Sequence, residues 1–448
     1  MSGMFLLGLT LLIAGGLGVI VAELLIERPD IAAALVLGSV VVQAFYVDSV
    51  PSLMLPGQTR VSVTDLVSAL VFAAAIARLL RLRRFHRVHR WLVLLAVMLF
   101  LSLIRGVVAF GPQASISDFR QYLFFAGVAL YFATFPPSVR LYNRIGQIWL
   151  AMTIPMMVLV CLRWLAVFAG IDLGVPAEKF GADAAIRVID GPYTFFLAGA
   201  FVLTIPAWLR GERAGWIRWM SIVLLLFVLV LNRRTVWLAV LVGVAVLSLR
   251  DRRLGPRAIV LATLGAVLTA IAFVSLGGLR EGTQPLIESG SGNFDWRVQG
   301  WSELVAGWSG SLTDWAVGQP FGSGFAREIE GIATDTHPHN FYLETMIRTG
   351  LAGLFALIAL TAGLLRALWH TGTHDTGLLG PGVIPALLAM QIVWFVTWVP
   401  GSEQGMVTGI AAALVAAQSW SWNEFRQPIP FDGSTHTAVR RPGLSGAE

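Results

Sequence analysis

The stretch Thr336-His337-Pro338-His339-Asn340-Phe341-Tyr342-Leu343-Glu344 sets two imidazoles, a carboxamide and a carboxylate where a polar segment runs into an apolar one. A neutral imidazole accepts a proton from a hydroxyl near neutral pH, so a histidine here suits general-base chemistry. A structural role as cap or loop packing is the competing reading for a single histidine. Two histidines with Asn340 and Glu344 at one junction favour chemistry. The spacing of His337, His339 and Glu344 matches no recognised zinc pattern, and Pro338 constrains the loop, so no metal is expected. His86, His89, His370 and His374 fall in basic or polar loops and are expected to be solvated.

Positioning these groups falls to apolar helices. The 448 residues are 56% hydrophobic and only 13% charged, against roughly 25% charged in soluble domains. Windows of about 20 apolar residues, enough for one span each, recur along most of the chain. The 16 tryptophans suit membrane interfaces. The expected fold is all-α, a polytopic transmembrane helical bundle of about 12–13 spans. One domain over 1–421 includes a long external loop at 277–340 that contains short helices. Residues 422–448, rich in Pro, Gly, Ser and charge, read as a disordered cytoplasmic tail. The net charge of +6 comes from arginines in short inter-helix loops and does not imply nucleic-acid binding. Lys179 is the only lysine, and the single cysteine, Cys161, excludes an intrachain disulfide. The first apolar stretch has no basic n-region and reads as a span, not a removed signal peptide.

The expected spans are 4–26, 31–47, 62–80, 91–110, 119–135, 145–169, 193–209, 219–231, 235–249, 258–276, 341–368, 383–399 and 405–420. The loop Arg81–Arg90 is the densest basic segment and, with Arg250–Arg257, marks the cytoplasmic side. The histidine segment then faces outside. So do several arginines, against the positive-inside trend. Arg233 and Arg234 interrupt an apolar run from Ile217 to Leu247 that is too long for one span and right for two. Arg105 and Arg120 map near the outer boundary. Arg187, Arg280, Arg297 and Arg327 lie in external segments. Any of these could be a snorkelling anchor. An outer-face cluster, however, suits a polyanion such as a lipid diphosphate, because guanidinium binds phosphate oxygens bidentately and stays charged. Arg297 is expected on an interfacial helix whose membrane side carries Trp296, Trp301 and Trp308.

Together these residues resemble the O-antigen ligase / Wzy-type polysaccharide polymerase superfamily of bacterial membrane glycosyltransferases. His339-Asn340, nine residues, Gly350, two residues and Gly353 match that family's pattern of His, small polar residue, x9, Gly, x2, Gly. Gly318-Gln319-Pro320-Phe321-Gly322-Ser323-Gly324-Phe325 resembles its glycine-rich segment before the histidine. Arg233-Arg234-Thr235 resembles its Ser-Arg-Thr turn, with Arg234 in the arginine's place and Asn232 and Arg233 departing from the serine. Arg297 sits where the family has a second arginine. Arg187 with Gly191 and Pro192 resembles a third, weaker element. The resemblance covers roughly residues 185–355.

The resemblance implies transfer or polymerisation of an undecaprenyl-diphosphate-linked glycan onto an acceptor hydroxyl of a glycan, lipid or protein. It would occur at the outer face of the cytoplasmic membrane, in cell-surface polysaccharide biosynthesis. Diphosphate is already a good leaving group, which leaves acceptor deprotonation and charge stabilisation to the protein. His339 is the expected general base. Arg234 and Arg297 are the expected diphosphate clamp, with Arg233 or Arg187 helping. His337, Asn340 and Glu344 would support His339 or the acceptor. The chain holds no Asp-x-Asp motif, so a metal-independent transfer without cofactor is expected, with membrane lipids as surroundings. A lipid-linked oligosaccharide flippase or other transporter is the alternative, although it would want arginines reachable from both faces. A non-catalytic scaffold would have no need of His339.

Overall fold

The computed structural model describes residues 16, 18, 20–46, 52–54, 60–82, 89–171, 188–210, 215–250, 283–329, 331–369, 378–380 and 382–418. Most of the expected span 4–26, the span 258–276, Lys179, Arg187, Arg280, His86, His370, His374, the segments 83–88 and 251–257 and the tail 422–448 lie outside the described residues. Thirteen helices follow one another within them. They are α1 (Pro29–Phe45), α2 (Val63–Leu82), α3 (Arg90–Tyr122), α4 (Val128–Ala133), α5 (Val139–Ala169), α6 (Gly191–Arg210) and α7 (Gly215–Val230). Then come α8 (Arg234–Arg250), α9 (Thr283–Trp308), α10 (Leu312–Val317), α11 (Phe341–Trp369), α12 (Ile384–Trp394) and α13 (Ser402–Gln418). Four described helical stretches are long and apolar enough to cross a membrane: Val63–Arg81, Arg90–Ala133, Val139–Ala169 and Phe341–Trp369. The protein is an all-α polytopic transmembrane helical bundle.

Two short antiparallel ladders decorate the loops. β1 (Ser52–Met54) pairs with β2 (Arg60–Ser62), and β3 (Arg327–Ile329) with β4 (Ile332–Thr334). The second ladder turns through Gly331 at φ +80°, a conformation that suits glycine.

Local chemistry explains the helix boundaries that matter. Ser62 and Asp65 cap α2 reciprocally: Ser62 N–H donates to Asp65 Oδ2 at 2.7 Å and Asp65 N–H to Ser62 Oγ at 3.3 Å. Gly111 (φ 83°) breaks α3 just before Pro112. The expected boundary near Phe110 is therefore a sharp kink, not a loop. A π-helical turn at Leu123–Gly127 joins α3 to α4. Gly405 and Gly409 of α13 lie directly against the Phe125 and Ala129 carbonyls, where any β-carbon would collide. This is the close approach that small residues four apart permit between membrane helices.

Two expectations change. The span expected at 383–399 is helical only over Ile384–Trp394. Pro400 and Gly401 follow, and the chain leaves the helix ahead of them. In the segment after Arg250, α9 is 26 residues long, longer than the short helices expected there. Two of its three tryptophans pack on protein. Trp308 is buried with Leu304, Phe325, Leu343 and Ile347, and Trp301 packs against the same cluster. The apolar stripe of α9 thus covers the start of α11, a protein surface.

The strongest polar tie in the described bundle is at Arg348, fully buried in α11. Its Nη2 meets Asp118 Oδ2 of α3 at 2.7 Å and donates to the Gly324 carbonyl at 3.0 Å. Nη1 reaches Ser323 Oγ and, at 3.3 Å, the Pro320 carbonyl. The guanidinium also lies 4.1 Å from the Phe325 ring centroid. Removing one partner of a buried pair leaves the other charged and unsolvated, at a cost of ~3–5 kcal/mol. Arg348→Met should therefore lower the thermal unfolding temperature of the detergent-purified protein by several degrees or prevent its recovery. An unfolding temperature equal to wild type would refute this role.

Candidate functional site

The glycine-rich loop Gly318–Phe325 is threaded between α3 and α11. Gly318 ends α10 at φ +73°, and its α-carbon faces the Arg348–Thr349 peptide so closely that a β-carbon cannot fit. Gly350 is its counterpart. It breaks α11 at φ 67°, ψ −170°, and a β-carbon there would strike the Ala316 carbonyl. Between them the Gln319 N–H donates to the Ile347 carbonyl at 2.6 Å. The x9 spacing thus has a physical meaning. It sets the length of the first part of α11 between the histidine at its entrance and the glycine where a second segment crosses it. Arg105, expected near a boundary, donates to the Val317 and Gly318 carbonyls at 3.0 Å each and holds this crossing. Arg120 pairs with Asp65 at 2.9 Å and holds α2 to α3. Both are structural.

His339 sits at the entrance of α11 with φ +52°, a left-handed conformation that is uncommon for a residue with a side chain. Its neighbours over-determine this. Trp301 Nε1 donates to the Pro338 carbonyl at 2.7 Å. Asn340 Oδ1 accepts from the Leu343 N–H at 3.1 Å and caps the helix. The Phe341 N–H donates to the Phe395 carbonyl at 2.8 Å. Strain of this kind persists where surrounding structure enforces it, commonly at functional sites.

The His339 ring stacks on Trp398, centroids 4.9 Å apart and 27° between planes. Trp398 stacks on Trp394 at 5.9 Å, and Trp394 on Phe195 of α6 at 4.8 Å. Gly191 lets Trp394 approach so closely, its missing β-carbon lying 3.0 Å from that ring. This ladder leads to Asp190, which precedes α6 and accepts from the Gly191 N–H at 2.7 Å.

Arg233 faces Asp190, with Nη2 3.5 Å from Oδ1 and 2.9 Å from the Ile189 carbonyl. It leaves a turn in which Asn232 adopts φ +50°, a conformation Asn tolerates. Arg163, buried in α5, steadies the same segment by donating to the Val188 carbonyl at 3.0 Å. Arg234, which opens α8, is exposed. Of the two arginines at this turn, Arg233 is therefore the one brought toward His339 through Asp190.

Electrostatics place the remaining groups. Burial pushes the His339 pKa down to about 4, reinforced by the positive charge of Arg297 and by His337 and Arg327, with Asp190 opposing. His339 is therefore neutral at pH 7 and able to accept a proton. Arg297 is half-buried, burial lowers its pKa, and no carboxylate among the described residues opposes this. Arg327 donates to the Phe325 and Thr336 carbonyls at 2.9 and 2.7 Å and bridges the glycine-rich loop to the histidine segment.

Glu344, in the first turn of α11, is almost fully buried. Gln121 Nε2 donates to its Oε1, and His337 Nδ1 lies 3.5 Å from the same oxygen. The structure thus gathers His339, Arg297, His337, Asn340 and Glu344, adds Arg233 through Asp190, and leaves Arg234 exposed at the start of α8. Asp190, Trp398, Gln121, Asp118 and Arg348 were not singled out from sequence. Asp190 stands just before Gly191-Pro192, and Trp398 just before Val399-Pro400, both turn signals beside apolar spans.

Apolar helices with a histidine and several arginines gathered at the entrance of α11 define a polytopic membrane protein. Residues 219–358 match the family model for O-antigen ligase. That match supports placing the chain with the O-antigen ligase / Wzy-type superfamily, a family of glycosyl-transferring enzymes. No curated protein matches the chain.

The stack on Trp398 shields one face of the His339 ring from water. In isotopically labelled protein, His339 should titrate at about 4 by NMR. In Trp398→Ala it should move toward ~6.5, the ordinary histidine value, while Trp398→Phe should stay near wild type. An unchanged midpoint in the alanine variant would show that Trp398 contributes nothing to this shielding.

Proposed function

We propose that the protein transfers or polymerises a glycan carried on undecaprenyl diphosphate onto an acceptor hydroxyl, at the outer face of the cytoplasmic membrane. The observation that carries this reading is a neutral histidine beside a half-buried arginine that no carboxylate among the described residues balances. An uncompensated half-buried cation is the arrangement an anionic ligand would complete.

On this reading the acceptor oxygen attacks the anomeric carbon as the bond from that carbon to the diphosphate oxygen breaks. His339 takes the acceptor proton. Arg297 and Arg233 stabilise the negative charge that develops on the leaving diphosphate, and Arg234 contacts the donor at the rim. Arg187 is proposed as a further contact. A single displacement inverts the anomeric centre, and arginines supply the electrostatic stabilisation that a metal would otherwise give.

His339→Ala should abolish glycosidic-bond formation in reconstituted vesicles while the protein inserts and folds normally; product formed by that variant would sink the base assignment. In the wild type, kcat/KM should hold from neutral pH down to an acid limb at about 4, the free-protein value of His339. The limb in kcat should lie higher, because bound diphosphate offsets the Arg297 charge that depresses the base. Lipid translocation in these vesicles without new glycosidic bonds would favour a transporter. Deletion of the gene separates the two enzyme types: single-unit surface glycans point to a lost polymerase, and unattached long chains to a lost ligase.

A further inference from the structure

The two histidines stand two residues apart but in opposite surroundings. His339 lies against Trp398 with the positive charges of Arg297 and Arg327 nearby. His337 lies on the other side of Pro338, its ring tilted against Phe325 at 5.1 Å, and is 43% exposed in its side chain. Its Nδ1 points at Glu344, a carboxylate only 1% exposed. At 3.5 Å this is an ion pair more than a well-formed hydrogen bond. Gln121 steadies the same carboxylate oxygen from α3. A ring whose Nδ1 edge faces a buried carboxylate turns its Nε2 edge away from that carboxylate.

We propose that His337, anchored through Nδ1 on Glu344, is a substrate-binding residue that presents Nε2–H to the donor's diphosphate as a positively charged donor. It would share this work with Arg297. The proposal rests on the diphosphate-donor reading above and assigns the two histidines different tasks, His339 proton acceptance and His337 anion binding. Environments that drive two neighbouring titratable groups apart are how one site holds both forms at one pH.

The charged groups facing His337 agree with this. Burial opposes its cationic form. Glu344 on α11 and Asp118 on α3 favour it, Arg348 on α11 disfavours it, and the net effect raises its pKa above the ordinary histidine value. His339 is the other titratable neighbour and is neutral near pH 7. The sign follows: the positive charge on His337 persists to higher pH than that of an ordinary histidine and is lost as pH rises through its raised pKa. Donor binding should weaken over that rise.

The test is direct binding of undecaprenyl diphosphate in detergent micelles, followed by tryptophan fluorescence across pH, alongside steady-state transfer. His337→Gln keeps a hydrogen-bond donor without the charge. It should weaken binding about tenfold or more at pH values below the His337 titration and remove the loss of binding as pH rises. It should raise donor KM and leave the acid limb of kcat/KM, which belongs to His339, in place. His337→Arg, charged at all pH values, should bind throughout and also lack that loss. Wild-type affinity and pH dependence in His337→Gln would overturn the proposal. So would a loss in kcat alone with donor affinity intact. Because binding needs no turnover, failure of the His339 base assignment would show separately, as activity retained by His339→Ala.

Discussion

The buried Arg348–Asp118 pair is the constraint on which the site's geometry depends. One guanidinium joins α11, α3 and the glycine-rich loop, reaching the Pro320 and Gly324 carbonyls and Ser323 as well as the carboxylate. Asp118 Oδ2 also accepts from the Gly322 N–H at 3.0 Å. A loop with three left-handed glycines in seven residues, at 318, 322 and 324, has little backbone preference of its own. Its path is therefore dictated by partners, and Arg348 supplies three of these hydrogen bonds, to Pro320, Ser323 and Gly324. Buried ion pairs seldom add net stability over an apolar packing, but they do reject alternatives in which either charge is unpaired. Here the rejected alternatives are other paths of the loop that leads into the histidine segment.

From that fixed crossing the chemistry is aimed by local devices. The Gly318–Gly350 contact sets where α11 breaks. Asn340 caps its beginning, and Trp301 and Phe395 clamp the residues on either side of His339. A left-handed non-glycine residue held from both sides loses little by ordering when a substrate arrives. Preorganisation of this kind is what electrostatic stabilisation requires, since groups already in place need no reorganisation as charge develops.

Much of this was legible in the sequence, for different reasons in different places. The bundle followed from hydropathy, because apolar runs of membrane length have few alternatives. His339 was singled out by its spacing to Gly350, which in the structure spans the first part of α11. The ambiguity between Arg233 and Arg234 was not resolvable from sequence. Their order along the chain says nothing of which one faces Asp190, a residue 43 or 44 positions away in sequence. Trp398 was hidden inside an apolar run that reads as continuing helix, and only the exit before Pro400 turns it onto His339. Trp301 and Trp308 read as membrane-facing because an amphipathic stripe shows that a helix buries one face without showing against what. Arg348 looked like an ordinary charge in a span, since its four partners come from segments far apart in sequence.

The arrangement also bears on the order of events under the proposed function. Burial does most to hold His339 neutral in the free protein, and the charges that reinforce it, Arg297 foremost, are the ones a diphosphate would neutralise. Before the donor binds, His339 is a weak base in a positive field, poorly matched to a sugar hydroxyl. Once the donor is seated, that field is cancelled, the imidazolium that forms on proton transfer is better tolerated, and the base strengthens. The coupling is reciprocal, because a group whose protonated form is stabilised by a bound anion must in turn stabilise that anion. An acceptor that arrives first meets a base too weak to deprotonate it, whereas one that arrives second meets a base strengthened by the bound donor. On the proposed reading, the positive charge around His339 would act both as binding energy for the donor and as a restraint on the base in its absence.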